Sequence, residues 1–123
     1  MKTISLSDAE WKLMNALWER RSTITELVAA FHEDTAWSKH TIISMLSRLE
    51  AKGAVSYKEG ERAKIFYPLI DREATQIVET KNFLYRLYGG SVGMMLNALV
   101  NDKDLSKEDI DELYEILRKA EKK

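Results

Sequence analysis

The fold of this chain is decided by residues Trp37–Pro68, WSKHTIISMLSRLEAKGAVSYKEGERAKIFYP. The stretch predicts one helix, a tight turn and a two-stranded ribbon. Ser38 is placed to cap the helix, and Gly53 ends it as a left-handed residue does. Apolar residues recur at i, i+3, i+4 and i+7, which puts them on one buried face: Ile42, Met45, Leu46 and Leu49.

The opposite face of this helix carries short and nearly uncharged side chains, whereas an ordinary solvent-exposed face carries Glu and Lys. Its members are His40, Ile43, Ser44, Ser47 and Ala51, and the basic residues that flank it are Lys39, Arg48 and Lys52. Long charged side chains would hold a helix away from base edges, so this face favours insertion into a DNA groove. The pattern also fits a core helix that packs its small face on another element.

The ribbon is predicted as strands Val55–Lys58 and Ala63–Pro68, with Gly60 in the turn between them. Pro68 is the only proline, and it closes the ribbon at an edge because it cannot donate to a central strand. If the ribbon is a wing beside DNA, Arg62 and Lys64 at its tip are the natural phosphate contacts. If it is not, they are ordinary solvated charges.

Helix-start signals divide the rest of the chain. Capping boxes begin at Ser7, Thr23 and Ser106, each with an acidic residue three positions later. The first helix directs Trp11, Met14, Leu17 and Trp18 to a core, and the second directs Leu27, Val28 and Phe31 there. A long helix over 71–88 ends at Gly89-Gly90, and an apolar helix over 91–100, a polar link over 101–104 and a last helix follow.

The predicted fold class is mainly α with a small β wing. A winged helix-turn-helix occupies residues 1–70, and a three-helix dimerisation arm occupies residues 71–123. The apolar stripes of the arm exceed what three helices can bury alone, so we expect a homodimer. The dimerisation residues are Ile77, Phe83, Leu84, Leu87, Tyr88, Met95, Leu99, Ile110, Leu113 and Leu117.

Composition narrows the function classes. A net charge of −1 argues against nucleic-acid binding, but Trp37–Pro68 carries six basic and three acidic side chains, so the basic bias is local.

The chain has no cysteine, and neither of its two histidines lies at ligand spacing, so we expect no metal site or cofactor. No nucleophile–base order or phosphate-binding glycine loop appears, so we expect no enzyme. Without a signal or spanning segment, we expect a cytoplasmic protein.

The order and spacing of several motifs resemble one family. The chain resembles the BlaI/MecI/CopY family of bacterial repressors, in particular its penicillinase-repressor branch, over nearly its whole length. The motifs that carry the resemblance are Ser7-Asp8-Ala9-Glu10-Trp11 with Met14 and Trp18, Trp37-Ser38 with Thr41-Ile42 and Arg48-Leu49, Lys52-Gly53, Tyr88-Gly89-Gly90, Leu96-Asn97, and Leu105-Ser106 with Glu108 and Ile110-Asp111-Glu112-Leu113.

The resemblance implies a homodimer that binds a palindromic operator and represses genes of β-lactam resistance or a related stress response. It also implies a membrane sensor-protease as a partner, which inactivates the repressor by a cut in the arm, and it places that cut at Asn97–Ala98. Ala98 stands where the branch has Phe, and Ile43 where the family often has a basic residue. Without cysteine, the copper-responsive switch of another branch is excluded.

The residues predicted to meet the major groove or its phosphates are Lys39, His40, Thr41, Ile43, Ser44, Ser47 and Arg48, and those predicted to meet the flanking backbone are Arg62 and Lys64. Two alternatives remain open. One is a winged-helix adaptor that binds proteins and no duplex. The other is a regulator released by a small molecule that binds in the arm around Met94 and Met95.

Overall fold

The computed structural model describes residues 4–101 and 105–123, which form six helices and one two-stranded sheet. The mainly α fold with a small ribbon is the one that the sequence predicts. In chain order the elements are α1 (Asp8–Glu19), α2 (Ile24–Phe31), α3 (Lys39–Lys52), β1 (Val55–Glu59), β2 (Lys64–Pro68), α4 (Arg72–Tyr88), α5 (Val92–Asn101) and α6 (Lys107–Glu121).

The chain divides into two compact units. The first unit ends at Glu79 and the second begins at Thr80, so the division falls inside α4. A functional boundary between residues 70 and 71 stays a prediction.

The predicted helix starts are built by side-chain caps. Ser7 Oγ accepts the Glu10 N–H at 3.2 Å while Glu10 Oε1 accepts the Ser7 N–H at 2.8 Å, which completes a capping box. The same reciprocal pair forms at Thr23 and at Ser106. At the far end of α3, Gly53 takes a φ of +82°, the left-handed conformation that glycine adopts without steric cost.

Two helices begin one residue later than predicted, because the predicted first residue is the cap. Asp71 Oδ2 accepts the Ala74 N–H at 2.9 Å before α4. Ser91 Oγ accepts the Met94 N–H at 3.1 Å before α5, which continues to Asn101. Residues 102–104 of the predicted polar link lie outside the described residues.

The hydrophobic core of the first unit is formed by α1, α2, α3 and the ribbon. The predicted stripe of α3 is buried in full, together with Leu13, Met14, Leu17, Leu27, Val55 and Phe66. Trp11 and Trp18 pack at the rim of this core rather than inside it, and Leu13 takes the interior position. The Trp18 indole N–H donates to the carbonyl oxygen of Ile70 at 2.9 Å, which keeps this ring at the boundary.

The ribbon is antiparallel, and its register pairs Val55 with Pro68 and Tyr57 with Phe66. A third segment, which the sequence analysis missed, joins it before α2. Ser22 and Phe66 exchange two backbone hydrogen bonds, of 3.1 and 2.8 Å. A single paired residue produces no apolar–polar alternation from which a strand could be predicted. It nevertheless anchors the ribbon beside α2.

Arg72 ties the first turn of α4 to α1 within the first unit. Its guanidinium donates to Glu19 Oε1 at 2.8 Å and to Asn15 Oδ1 at 3.3 Å. It also lies 5.8 Å from the centre of the Trp18 ring. The winged-helix unit therefore uses residues beyond Ile70 for its own packing.

Candidate nucleic-acid interface

A helix-turn-helix is formed by α2 and α3, and the turn between them is held by local contacts. The Thr35 hydroxyl donates to the carbonyl oxygen of Phe31 at 2.9 Å and accepts the Trp37 N–H at 3.2 Å. The Phe31 and Trp37 rings pack against each other at an interplanar angle of 46°, with centroids 4.8 Å apart. These contacts fix where α3 begins, and so which of its faces is turned to the core.

The outward face of α3, formed by His40, Ile43, Ser44, Ser47 and Ala51, is exposed along its length. Lys39 and Arg48 are exposed at its flanks. Thr41, also predicted to meet DNA, is half-buried and lies in the cap, where its hydroxyl is 3.1 Å from that of Ser38. The structure thus brings the predicted groove-facing residues together and leaves Thr41 partly engaged in the helix start.

The tip of the ribbon presents Arg62 to solvent. Gly60 donates its N–H to the carbonyl oxygen of Ala63 at 3.0 Å and closes the turn. A Cβ on Gly60 would lie 2.6 Å from that oxygen, so no larger residue fits without moving the backbone. The turn therefore requires glycine, and it holds Arg62 at the end of the ribbon.

A shallow cavity of about 160 Å³ lies between α3 and the ribbon. Ile43 and Ser47 line it from α3, Tyr57 and Lys64 line it from the ribbon, and Glu50 contributes an acidic side chain. Lys64, Ile43 and Ser47 were predicted separately, and the fold brings them to one cavity. Tyr57 was not predicted to serve the site, because its proximity to Lys64 depends on the register between the two strands.

Lys52 does not act as a basic flank of the outward face, contrary to the sequence analysis. Its ammonium lies 2.7 Å from Glu10 Oε1 and 2.8 Å from the carbonyl oxygen of Ser5. Glu10 is only 2% exposed, so this ion pair joins the start of α1 to the end of α3. Burial of the carboxyl raises the pKa of Glu10, but Lys52 and Ser7 together lower that pKa below its ordinary value.

Two other features, a metal-binding group and a membrane-spanning helix, are absent from the described part of the chain. Neither His32 nor His40 belongs to a group of His, Asp or Glu side chains that could hold a metal ion, and no such group occurs in residues 4–101 or 105–123. Over the same residues, no helix is long and apolar enough to cross a membrane.

In the second unit, the described residues include no buried side chain. Of the predicted dimerisation residues, Ile77 belongs to the first unit and is exposed. Those of the second unit that are exposed are Phe83, Leu87, Leu99, Ile110 and Leu117, and those that are half-buried are Leu84, Tyr88, Met95 and Leu113. An apolar groove of about 300 Å³ runs between α5 and α6, with Leu96, Leu113 and Leu117 in its lining. Asn97 and Ala98 are exposed in the middle of α5.

Comparison with known proteins gives a family match over residues 6–119, to the penicillinase repressor model. The penicillinase repressor of Bacillus licheniformis is 40% identical over 120 residues, covering 95% of this chain and 93% of its own length. The methicillin resistance regulatory protein MecI of Staphylococcus aureus (strain N315) is 29% identical over 119 residues, covering 96% of this chain and 97% of its own.

Two of the solved structures that match cover a little over half of this chain. One is the solution structure of the monomeric form of Bacillus licheniformis BlaI in complex with the blaP half-operator, with a TM-score of 0.53 and 32% identity. It covers 58% of this chain and 89% of that chain. The other is the DNA-binding domain of the repressor BlaI, with a TM-score of 0.52 and 33% identity over 58% of this chain and 88% of its own.

Proposed function

This chain belongs to the penicillinase repressor family, and from that premise we propose that it represses transcription as a homodimer on a palindromic operator. It is a DNA-binding transcriptional repressor of the kind that controls antibiotic resistance. The proposed targets are genes of β-lactam resistance or a related stress response. Since the operator is chromosomal or plasmid DNA, the proposed location is the cytoplasm.

The observation that carries the DNA-binding role is the exposed outward face of α3, whose short side chains lie beside the ribbon that bears Arg62 and Lys64. Short side chains let the helix approach the base edges of the major groove. The proposed groove contacts are Lys39, His40, Thr41, Ile43, Ser44, Ser47 and Arg48. Arg62 and Lys64 are the proposed contacts to the flanking phosphates, which position the protein without choosing the sequence.

The homodimer is supported by the exposed apolar residues of the second unit. Leu87 is 54% exposed and Leu117 is 55% exposed in the single chain. Soluble monomers rarely leave large apolar surface in water, and a two-fold dimer buries the same surface of both copies. The proposed interface consists of the dimerisation residues named above.

The proposal is tested by selection of binding sites from a pool of randomised duplexes with the full chain. The expected result is a palindromic site bound by two chains, with an affinity that falls as salt rises because phosphate contacts release counterions. Recovery of no duplex would contradict the proposal and favour the protein-interaction adaptor.

Ile43→Ala is expected to relax sequence choice at one base pair in each half-site, because Ile43 stands on the outward face and is 38% exposed. An apolar side chain there fits a thymine methyl, and its loss costs on the order of 1 kcal/mol of discrimination. The measurement is the same selection performed with the variant. Leu69→Ala is the matched control, since Leu69 is an exposed apolar residue off this face. An unchanged base preference for Ile43→Ala would contradict the contact.

We also propose that a membrane sensor-protease inactivates the repressor by cutting within residues 94–100, first at Asn97–Ala98. Both residues are exposed in α5, but a helical bond must unfold locally before a protease can cut it. A dedicated partner is therefore needed. Loss of the dimer arm would then lower operator affinity.

Mass spectrometry of the protein from cells exposed to a β-lactam is expected to show a fragment that ends at Asn97. Asn97→Gln should delay this cut, while Asn101→Gln, at the last residue of the same helix, should not. An intact chain during derepression would overturn the proteolytic switch and favour release by a small molecule.

A further inference from the structure

The Lys64 ammonium is held in place by an aromatic ring rather than by a carboxylate. Lys52, Arg20 and Arg72 each pair with a carboxylate at 3.0 Å or less. Lys64 makes no ion pair among the residues that the structure describes. Its ammonium instead lies 4.2 Å from the centre of the Tyr57 ring. A ring face, unlike a carboxylate, carries no net charge that would cancel the charge of the ammonium.

The strand register produces this contact. Tyr57 is opposite Phe66, and Lys64 is opposite Glu59, so Lys64 and Tyr57 are diagonal neighbours on one face of the ribbon. The Tyr57 ring is itself restrained, because it is half-buried and packs against Phe66 at an interplanar angle of 50°, with centroids 5.5 Å apart. A rigid ring thus restrains a side chain that would otherwise sample many rotamers.

The same face of the ribbon borders the cavity beside α3. Lys64 and Tyr57 line this cavity opposite Ile43 and Ser47 of the outward face. Glu50 lines it as well, and its carboxylate would repel a phosphate, so an incoming phosphate is directed to the Lys64 wall. Contacts from α3 to the bases and a contact from the Lys64 side chain to the DNA backbone would therefore lie next to each other.

We propose that Tyr57 is a positioning residue that holds the Lys64 ammonium for one phosphate of the operator, next to the base pair that Ile43 contacts. The inference rests on the proposed DNA-binding function and adds a residue to it. Tyr57 touches no DNA in this role. Its ring reduces the conformational entropy that Lys64 loses when it binds the phosphate.

The test is a double-mutant cycle with the full chain and the duplex that the wild-type protein selects, titrated by fluorescence anisotropy at several salt concentrations. Tyr57→Leu is expected to raise the dissociation constant roughly two- to fivefold, the factor of an exposed cation–π contact, with the salt slope retained. Lys64→Ala is expected to reduce by roughly one the magnitude of the slope of log affinity against log salt concentration. In the double variant, Tyr57→Leu should add nothing to Lys64→Ala.

Tyr67→Leu is the matched control. Arg21 lies 5.1 Å from the Tyr67 ring, so the chemistry is similar, but Tyr67 alternates with Phe66 and points to the opposite face. This control should leave binding unchanged. Equal weakening by Tyr57→Leu with or without Lys64 would show a merely structural role and overturn the proposal.

A second measurement does not depend on the folding of Tyr57→Leu. In the wild-type protein and in Tyr57→Phe, the ring should shift the NMR resonances of the Lys64 ε-methylene protons upfield. Random-coil positions for these protons in the wild type would overturn the proposal while duplex binding, and with it the proposed function, stands. Failure of the wild type to bind any duplex would instead overturn both.

Discussion

Truncation of the chain after Glu79 is expected to weaken binding to the full palindromic operator by about 10²–10⁴-fold and to leave binding to a half-operator unchanged. In a dimer, the second winged helix binds intramolecularly once the first is seated. Without the second unit, two chains must assemble on the duplex from solution. The free protein should be a folded monomer, because the first compact unit ends at Glu79.

The measurement pairs anisotropy titrations on full and half operators with light scattering of the free protein. The matched control is a chain that ends after Pro68, which loses the Ile70 carbonyl that accepts the Trp18 N–H and the Arg72 contacts to α1. This shorter chain should be less stable to urea. A dimer of the Glu79 truncation in solution would contradict the assignment of the second unit to dimerisation.

Lys52→Met is expected to lower the free energy of unfolding at neutral pH by about 2–3 kcal/mol. Removal of one partner from a buried ion pair typically costs 3–5 kcal/mol, and the 39% exposure of the Lys52 side chain reduces that cost. The substitution leaves the Glu10 carboxylate buried, and its Oε2 already has no hydrogen-bond partner. Urea denaturation measures the change.

Lys58→Met is the control for this substitution, because Lys58 is an exposed lysine of the ribbon that forms no ion pair with any residue that the structure describes. It should change stability by less than about 0.5 kcal/mol. Glu10→Gln added to Lys52→Met should recover part of the loss, since the amide oxygen can still accept the Ser7 N–H and no charge stays buried. Equal effects of Lys52→Met and Lys58→Met would show that the pair contributes nothing.

The same ion pair predicts a pH dependence. The pKa of Glu10 is lower in the folded chain than its ordinary value of 4.5, so the folded chain binds fewer protons there than the unfolded chain. Its stabilising contribution is fully present above pH 4.5 and is lost as the pH falls through the folded pKa. The deficit of Lys52→Met relative to wild type should therefore shrink in acid, as urea titrations across pH 3–7 would show.

Much of the fold was predictable because its signals are local. Each capping box joins residues three positions apart, and the buried stripe of α3 follows the helical period itself. Trp11 and Trp18 were assigned to the core by the same period, yet they stand at its rim. Periodicity gives the face of a helix, but it does not tell how deep each position lies.

The candidate site was predicted residue by residue, and its assembly was not. The outward face of α3 and the charged tip of the ribbon are visible as patterns in the sequence, so Ile43 and Lys64 were predicted as DNA contacts. The part played by Tyr57 was missed because an aromatic residue in a strand is usually core. Only the register of the ribbon puts its ring beneath the Lys64 ammonium.

The sequence by itself determined the capping boxes, the buried face of α3 and the turn at Gly60, since hydrogen bonds and steric limits over a few residues dictate them. Only the tertiary structure decided which basic side chains pair with a carboxylate and which do not. The sequence placed Lys52 at a flank of the outward face of α3, whereas in the folded chain it pairs with Glu10, 42 positions earlier. Contacts at such separations depend on how the core closes, because the shared buried surface, not local preference, fixes the distance between the two elements.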